Sequence, residues 1–144
     1  MTGNPQICIK IRAADMRDMD AVVEIENSSF EHPWPTSALI DEMTKNEFSN
    51  VYVAQFGSQI VGYMVFWMVA GECHLQKIAV SGIHRGQGIG RTMVQRLTDI
   101  CSQSNAQRLL LEFRDTNHTA RALYSGLGFK VSGSFGVSGV SVIS

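Results

Sequence analysis

The stretch from residue 72 to residue 104 constrains the fold more than any other part of the chain. Residues 72–80, Glu-Cys-His-Leu-Gln-Lys-Ile-Ala-Val, alternate as a strand does. Residues 88–104 place Gly90, Met93, Val94, Leu97, Ile100 and Cys101 on one helical face and Arg91, Gln95, Arg96 and Asp99 on the other. Ser81-Gly82-Ile83-His84-Arg85-Gly86-Gln87 joins the two. A strand that runs through a glycine-rich turn into a helix gathers free backbone N–H groups and the positive end of the helix dipole at one point, which suits a phosphate. Arg85 and Arg91 add charge there. Two other phosphate loops are excluded by spacing. A G-x-G-x-x-G fingerprint would need glycine at 91, where Arg91 stands, and the G-K-[ST] ending of a Walker loop is absent. The plainer alternative is a tight turn whose glycines supply positive φ and nothing more.

The strand itself changes parity. Cys73 and Leu75 are apolar at odd positions, Ile78 and Val80 at even ones. A one-residue slip swaps the faces of a strand, so a bulge is predicted near Gln76-Lys77. Bulges release backbone groups from the ladder and make them available to a ligand.

Elsewhere, Ile7, Ile9 and Ile11 alternate with polar neighbours, and Asp15 is placed to cap a helix. Met19, Val22, Val23, Glu26 and Phe30 continue that helix until His32-Pro33-Trp34-Pro35 breaks it. Residues 36–45 form a second helix. Residues 50–56 and 59–69 read as strands joined through Gly57-Ser58, a two-residue hairpin signal. Residues 108–113 are a short buried strand, and residues 117–127 a last helix ending at Gly128. Strand, two helices, three strands, helix, strand, helix is an α+β order around a mixed sheet. After Lys130 no charged residue remains, and residues 131–144 are rich in glycine and serine, consistent with a short hairpin or a frayed end. With 144 residues, a single domain over 1–144 is expected.

Composition narrows the function. Twelve Lys+Arg against thirteen Asp+Glu leave a net charge of −1, so no global basic field exists to wrap nucleic acid and any anion site is local. With 44% hydrophobic and 17% charged residues the chain is not a disordered one. The longest apolar run, residues 60–71, falls well below the roughly 20 residues of a bilayer-spanning helix, so no membrane partner is expected. Cys8, Cys73 and Cys101 are odd in number and widely spaced, which predicts reduced thiols, a cytoplasmic protein and no metal site.

Arg85-Gly86-Gln87-Gly88-Ile89-Gly90 resembles the [QR]-x-x-G-x-[GA] loop of the GCN5-related N-acetyltransferase (GNAT) superfamily, and the element order fits that fold. Three further segments resemble the RimI-type ribosomal-protein alanine N-acetyltransferases. The first is Ser29-Phe30 with Pro33-Trp34-Pro35. The second is Gly71-Glu72-Cys73-His74-Leu75 leading into Ile78-Ala79-Val80. The third is Leu111-Glu112-Phe113-Arg114-Asp115-Thr116-Asn117 running to Ala122-Leu123-Tyr124 and Leu127-Gly128-Phe129. The likeness covers residues 7–130. Phe113 stands where such chains usually carry Val. Nothing after Phe129 matches their longer hairpin with its Arg and Tyr pair, so residues 131–144 are an atypical end and a more open, less selective acceptor groove is expected.

The resemblance implies a mixed, mostly antiparallel sheet with helices on both faces, and acetyl-CoA as acetyl donor. It places the pyrophosphate on Arg85, Gly86, Gln87, Gly88, Ile89, Gly90 and Arg91, the pantetheine and thioester near the backbone of Ile78, Ala79 and Val80, and Asn117 on CoA. Glu112 becomes the proton acceptor and Tyr124 the proton donor to the CoA thiolate. The implied acceptor is the N-terminal α-amine, alanine first, of a ribosomal or other protein. Transfer to a lysine or small amine, or a catalytically weak acyl-CoA-binding module, are the alternatives.

The chemistry is consistent with these residue types. An α-amine with pKa about 7.7–8.0 is roughly 10–15% neutral at pH 7, so its deprotonation costs about 1 kcal/mol, against about 5 for lysine. One carboxylate acting through water suffices for the former. Glu112 closes the apolar run Leu109-Leu110-Leu111, where a charge is costly unless used or paired; an ion pair with Arg108 or Arg114 is its bland alternative. Tyr124 lies on the apolar stripe with Ala120, Leu123 and Leu127, where a core tyrosine would also sit. Asn117 would also serve as a helix cap. Glu72 and His74 are alternative bases, or part of a solvated sheet face. Phe30 and Trp34 either wall a peptide groove or belong to the core. Cys73 and Cys101 lack a partner base, which favours direct transfer over an acyl-enzyme.

Overall fold

The computed structural model describes residues 8–114, 118–135 and 138–143. Strand β1 (Ile9–Ala13) leads through a 3₁₀ turn (Met16–Asp18) into α1 (Met19–Ser29), followed by α2 (Thr36–Thr44). Strands β2 (Ser49–Phe56), β3 (Gln59–Val69) and β4 (Glu72–Val80) form a meander. Then come α3 (Ile89–Gln103), β5 (Arg108–Arg114), α4 (His118–Gly126), β6 (Lys130–Phe135) and β7 (Ser138–Ile143).

The entry to α1 follows from three acidic and basic side chains. Asp15 accepts from the Arg17 N–H at 2.8 Å, and Asp18 reaches back to the Asp15 N–H at 2.9 Å, a reciprocal cap. The guanidinium of Arg12 on β1 grips both oxygens of Asp18 at 2.8 and 2.9 Å. This holds the carboxyl of Asp18 below the usual carboxylate range and fixes the helix to the first strand. Pro33 and Pro35 then separate α1 from α2.

The sheet runs β1-β2-β3-β4-β5-β7-β6. Among the described residues only the pair β4 with β5 is parallel. The β2–β3 hairpin turns through Gly57-Ser58 as expected, with Phe56 opposite Gln59. Helices cover both faces. Val22, Ile25 and Leu39 from α1 and α2 pack with Val51, Val53, Tyr63 and Val65 on one side. Met93, Val94 and Leu97 of α3 and Tyr124 of α4 pack with Met64, Phe66, Leu75, Leu109 and Leu111 on the other. The strand alternation decides which residue joins which core. The mixed α+β sheet with two helical layers is thus the architecture expected.

The backbone of residues 130–135 and 138–143 resolves the two readings of the C-terminal stretch. It forms the β6–β7 hairpin, and β7 pairs antiparallel with β5 from Leu109 opposite Ile143 to Arg114 opposite Ser138. Ile7 lies outside the described residues.

Candidate active site

The site begins with an interruption of the sheet. On one edge β4 pairs with β3 along its length, but Val65 faces Lys77 while Phe66 faces Leu75, so Gln76 is the inserted residue of a bulge. On its other edge β4 pairs with β5 only from Glu72 opposite Arg108 to Leu75 opposite Leu111. Past the bulge the two strands part, and among the described residues nothing on β5 pairs with residues 76–80. A cleft of about 640 Å³ opens there. Its walls are Leu75, Lys77, Ile78, Ala79 and Val80 of β4, Ala120, Leu123 and Tyr124 of α4, and Ser29 and Phe30 at the end of α1.

The glycine-rich loop closes the far end. Gly86 and Gly88 have φ of 79° and 82°, left-handed conformations that cost an L side chain about 1–2 kcal/mol. Gly88 caps α3, whose first backbone bond runs from the Thr92 N–H to the Gly88 carbonyl at 3.0 Å. The N–H groups of Ile89, Gly90 and Arg91 therefore precede the helical ladder, and these three residues line the cleft. A Cβ at Gly90 would lie 3.7 Å from Leu123 and 3.9 Å from Val80, ordinary contact distances, so this glycine keeps cleft floor open rather than relieving a clash. Arg85 is tethered, not loose: it donates to the Val80 carbonyl at 3.1 Å and to Ser29 Oγ at 3.2 Å, spanning the cleft mouth. Free helix-start amides, two arginines and an uncovered strand edge fit an elongated ligand with a phosphate at one end.

Tyr124 is 4% exposed and meets the edge of the Phe129 ring at 5.9 Å. Burial pushes its phenol up to about 12, so the hydroxyl holds its proton at neutral pH and is a donor. The unfolded chain ionises this group near pH 10, the folded one not until about 12. Stability from Tyr124 is therefore intact below pH 10 and lost as pH rises from 10 toward 12, by about 2–3 kcal/mol. Denaturant titrations across that range, with Tyr124→Phe as reference, should show a steeper alkaline decline in the wild type.

The remaining expected residues divide. Glu112 lies on β5 opposite Val140, one residue past Leu111, where β5 leaves β4; its side chain and all of Asn117 lie outside the described residues. Gln87 is exposed, between Gly86 and Gly88, which line the cleft. The alternative bases lie at the opposite end of β4. There Glu72 binds His74 Nε2 at 3.2 Å and Arg108 at 3.2 Å, a half-exposed ion cluster that also occupies Arg108. Cys73 and Cys101 are buried, and the hydrogen bond with the Cys101 thiol, together with burial, holds the Cys73 thiol far above its usual range, so it is no nucleophile.

One group of residues was not anticipated. Glu26 of α1 is fully buried and accepts from Tyr63 Oη, from Lys77 Nζ and from the Trp34 N–H, the last at 2.8 Å. The Lys77 ammonium lies 4.2 Å from the Phe30 ring centre and 4.1 Å from that of Trp34. A carboxylate at an i+4 position from Val22, on the buried stripe of α1, was the available signal, because a buried charge demands a partner.

The Acetyltransferase (GNAT) family model matches residues 19–129. The chain belongs to the GNAT acetyltransferase family. This GNAT protein is 32% identical over 123 residues, 85% of the chain and 82% of its relative, to a Bacillus subtilis (strain 168) protein provisionally named a ribosomal protein bS18-alanine N-acetyltransferase. Its fold is similar to the ribosomal-protein-S18-alanine N-acetyltransferase of Escherichia coli, with TM-score 0.84 and 22% identity, covering 94% of this chain and 93% of that one. It is equally similar to the PaiA N-acetyltransferase of Thermoplasma acidophilum solved with coenzyme A, with TM-score 0.84 and 15% identity over 94% and 98% of the two chains. The GNAT chain is thus an acetyl-CoA-dependent N-acetyltransferase with RimI-like relatives. No helix among its described residues is long and apolar enough to cross a membrane.

Proposed function

We propose that this acetyltransferase modifies the α-amino group of protein N-termini, alanine first, with a ribosomal protein as the natural acceptor and the cytoplasm as its place of work. The observation that supports the reading is the cleft where bulged β4 leaves β5, because it brings a helix start suited to an anion together with the buried phenol of Tyr124. The Bacillus subtilis relative's name supports the choice of acceptor. Arg85, Arg91 and the amides of Gly88, Ile89 and Gly90 hold the donor's phosphates, and Gly86 shapes the turn. Ile78, Ala79 and Val80 offer backbone groups to the thioester arm, an oxyanion-type role. Asn117 adds a contact to CoA. Glu112 takes the amine proton through water, the amine adds directly to the thioester carbonyl, and Tyr124 Oη returns a proton to the departing sulfur.

The test uses labelled acetyl-CoA with three acceptors: an alanine-starting peptide, the same peptide with a blocked N-terminus and an internal lysine, and a small primary amine. Label should enter the first. Label in the second or third but not the first would overturn the reading. A Gly88→Glu variant checks the donor site. It adds a side chain at left-handed φ and a negative charge beside the phosphates. CoA affinity should fall at least about tenfold, or 1.4 kcal/mol, by calorimetry.

A further inference from the structure

Lys77, Glu26, Phe30, Trp34 and Tyr63 form an assembly whose chemistry is that of a receptor for an ammonium ion. Two aromatic faces approach one cation at 4.1 and 4.2 Å. A fully buried carboxylate, itself oriented by a phenol and a backbone N–H, takes the cation's proton-bearing side. Lys77 stands at the bulge beside the inserted Gln76, and both Lys77 and Phe30 line the cleft. The acceptors of an N-acetyltransferase are amines, which in water are mostly ammonium ions. The chain has filled such a receptor, two of whose members line the cleft proposed for the reaction, with its own side chain.

We propose that the Glu26–Phe30–Trp34 box is a primary-alkylammonium site permanently occupied by Lys77, and that this occupancy is a specificity determinant: it refuses acceptors that carry a second cation, such as polyamines and diamines. The physical reason is competition for one place. An acceptor with a distal ammonium would gain the aromatic faces and the carboxylate only by expelling an intramolecular occupant that is already seated at high effective concentration. An acceptor whose only amine is the reacting one loses nothing by the closure. The ammonium box stands on the contacts alone, and the selectivity half rests on the proposed cleft.

The test empties the box with Lys77→Ala and refills it with n-propylammonium chloride, which replaces the deleted atoms, using 1-propanol and sodium chloride as controls. Propylammonium should raise the melting temperature of the variant at concentrations about tenfold below those at which propanol acts, and should leave the wild type unmoved. Adding Glu26→Gln to Lys77→Ala should abolish the response. If Lys77→Ala does not fold alone, refolding is attempted with propylammonium present, and the proposal requires that it restore the fold where propanol does not. In turnover, the kcat/KM ratio of cadaverine to an alanine-starting peptide should rise about tenfold or more in the variant. Equal responses to propylammonium and propanol, or equal responses of variant and wild type, overturn the ammonium box. Stabilisation by propylammonium with an unmoved ratio overturns the selectivity assignment. CoA affinity is measured in parallel: its loss in the wild type would sink the cleft assignment, while the ammonium response still decides the box.

Discussion

Replacing Glu112 by Gln is expected to lower kcat by about 10²–10⁴-fold at neutral pH, with CoA affinity nearly unchanged. The α-amine must lose a proton before it can attack, and at neutral pH most of it is protonated. In the proposed mechanism the Glu112 carboxylate takes that proton through water; the amide of glutamine is not basic enough. The deficit should shrink as pH is raised through about 8, because the amine is then neutral without help. Measuring kcat from pH 6.5 to 9.5 in both proteins checks this. A deficit that stays constant across the range would assign Glu112 to positioning. Tyr124 holds its proton up to about 12, so the wild-type profile should show no alkaline fall from ionisation of this phenol within that window.

Lys77→Met is expected to destabilise the protein by about 3–5 kcal/mol, the usual consequence of leaving one partner of a buried pair uncompensated. Glu26 is fully buried and the Lys77 side chain only 10% exposed, so water does little to solvate the carboxylate left behind. Two cation–π contacts are lost at the same stroke. Their loss also frees Phe30 and Trp34, which anchor the segment between α1 and α2. Adding Glu26→Gln should recover much of the deficit, because the amide oxygen still accepts from the Trp34 N–H or Tyr63 while no charge stays buried. Urea denaturation of the two single variants and the double variant forms the cycle that measures the coupling. A loss below about 1 kcal/mol for Lys77→Met, as for an exposed pair, would mean the carboxylate is hydrated after all.

What the sequence disclosed and what it withheld have separate physical causes. The parity change between Leu75 and Ile78 located the bulge to within a residue, since a two-residue period leaves no freedom once one face is buried. The amphipathic stripe of α3 and the hairpin at Gly57-Ser58 were legible for similar local reasons. Three features were not. The place where β4 and β5 separate depends on two strands more than 30 residues apart in the chain, and no single-segment pattern encodes it. The tether of Arg85 left no local trace, because its partners, the Val80 carbonyl and Ser29 Oγ, are respectively backbone and the distant end of α1. Glu26 read as one more helical position, because its partner Lys77 is 51 residues away and its other donors lie on separate elements. Local periodicity reports which face is buried; it does not report which buried charges meet.

The parting of β4 from β5 makes this sheet two panels hinged on a short seam. Four register pairs, from Glu72 with Arg108 to Leu75 with Leu111, are the hydrogen-bonded continuity between the meander β1 to β4 and the trio β5, β7 and β6. A donor lying along residues 76–80 would take the place of the missing rungs. Binding would then act as a suture as well as delivering a reactant, and it would stabilise the whole molecule by an amount set by ligand concentration over Kd. Amide exchange at residues 76–80 should slow on binding. So should exchange in β5, because the seam can no longer unzip from its open end.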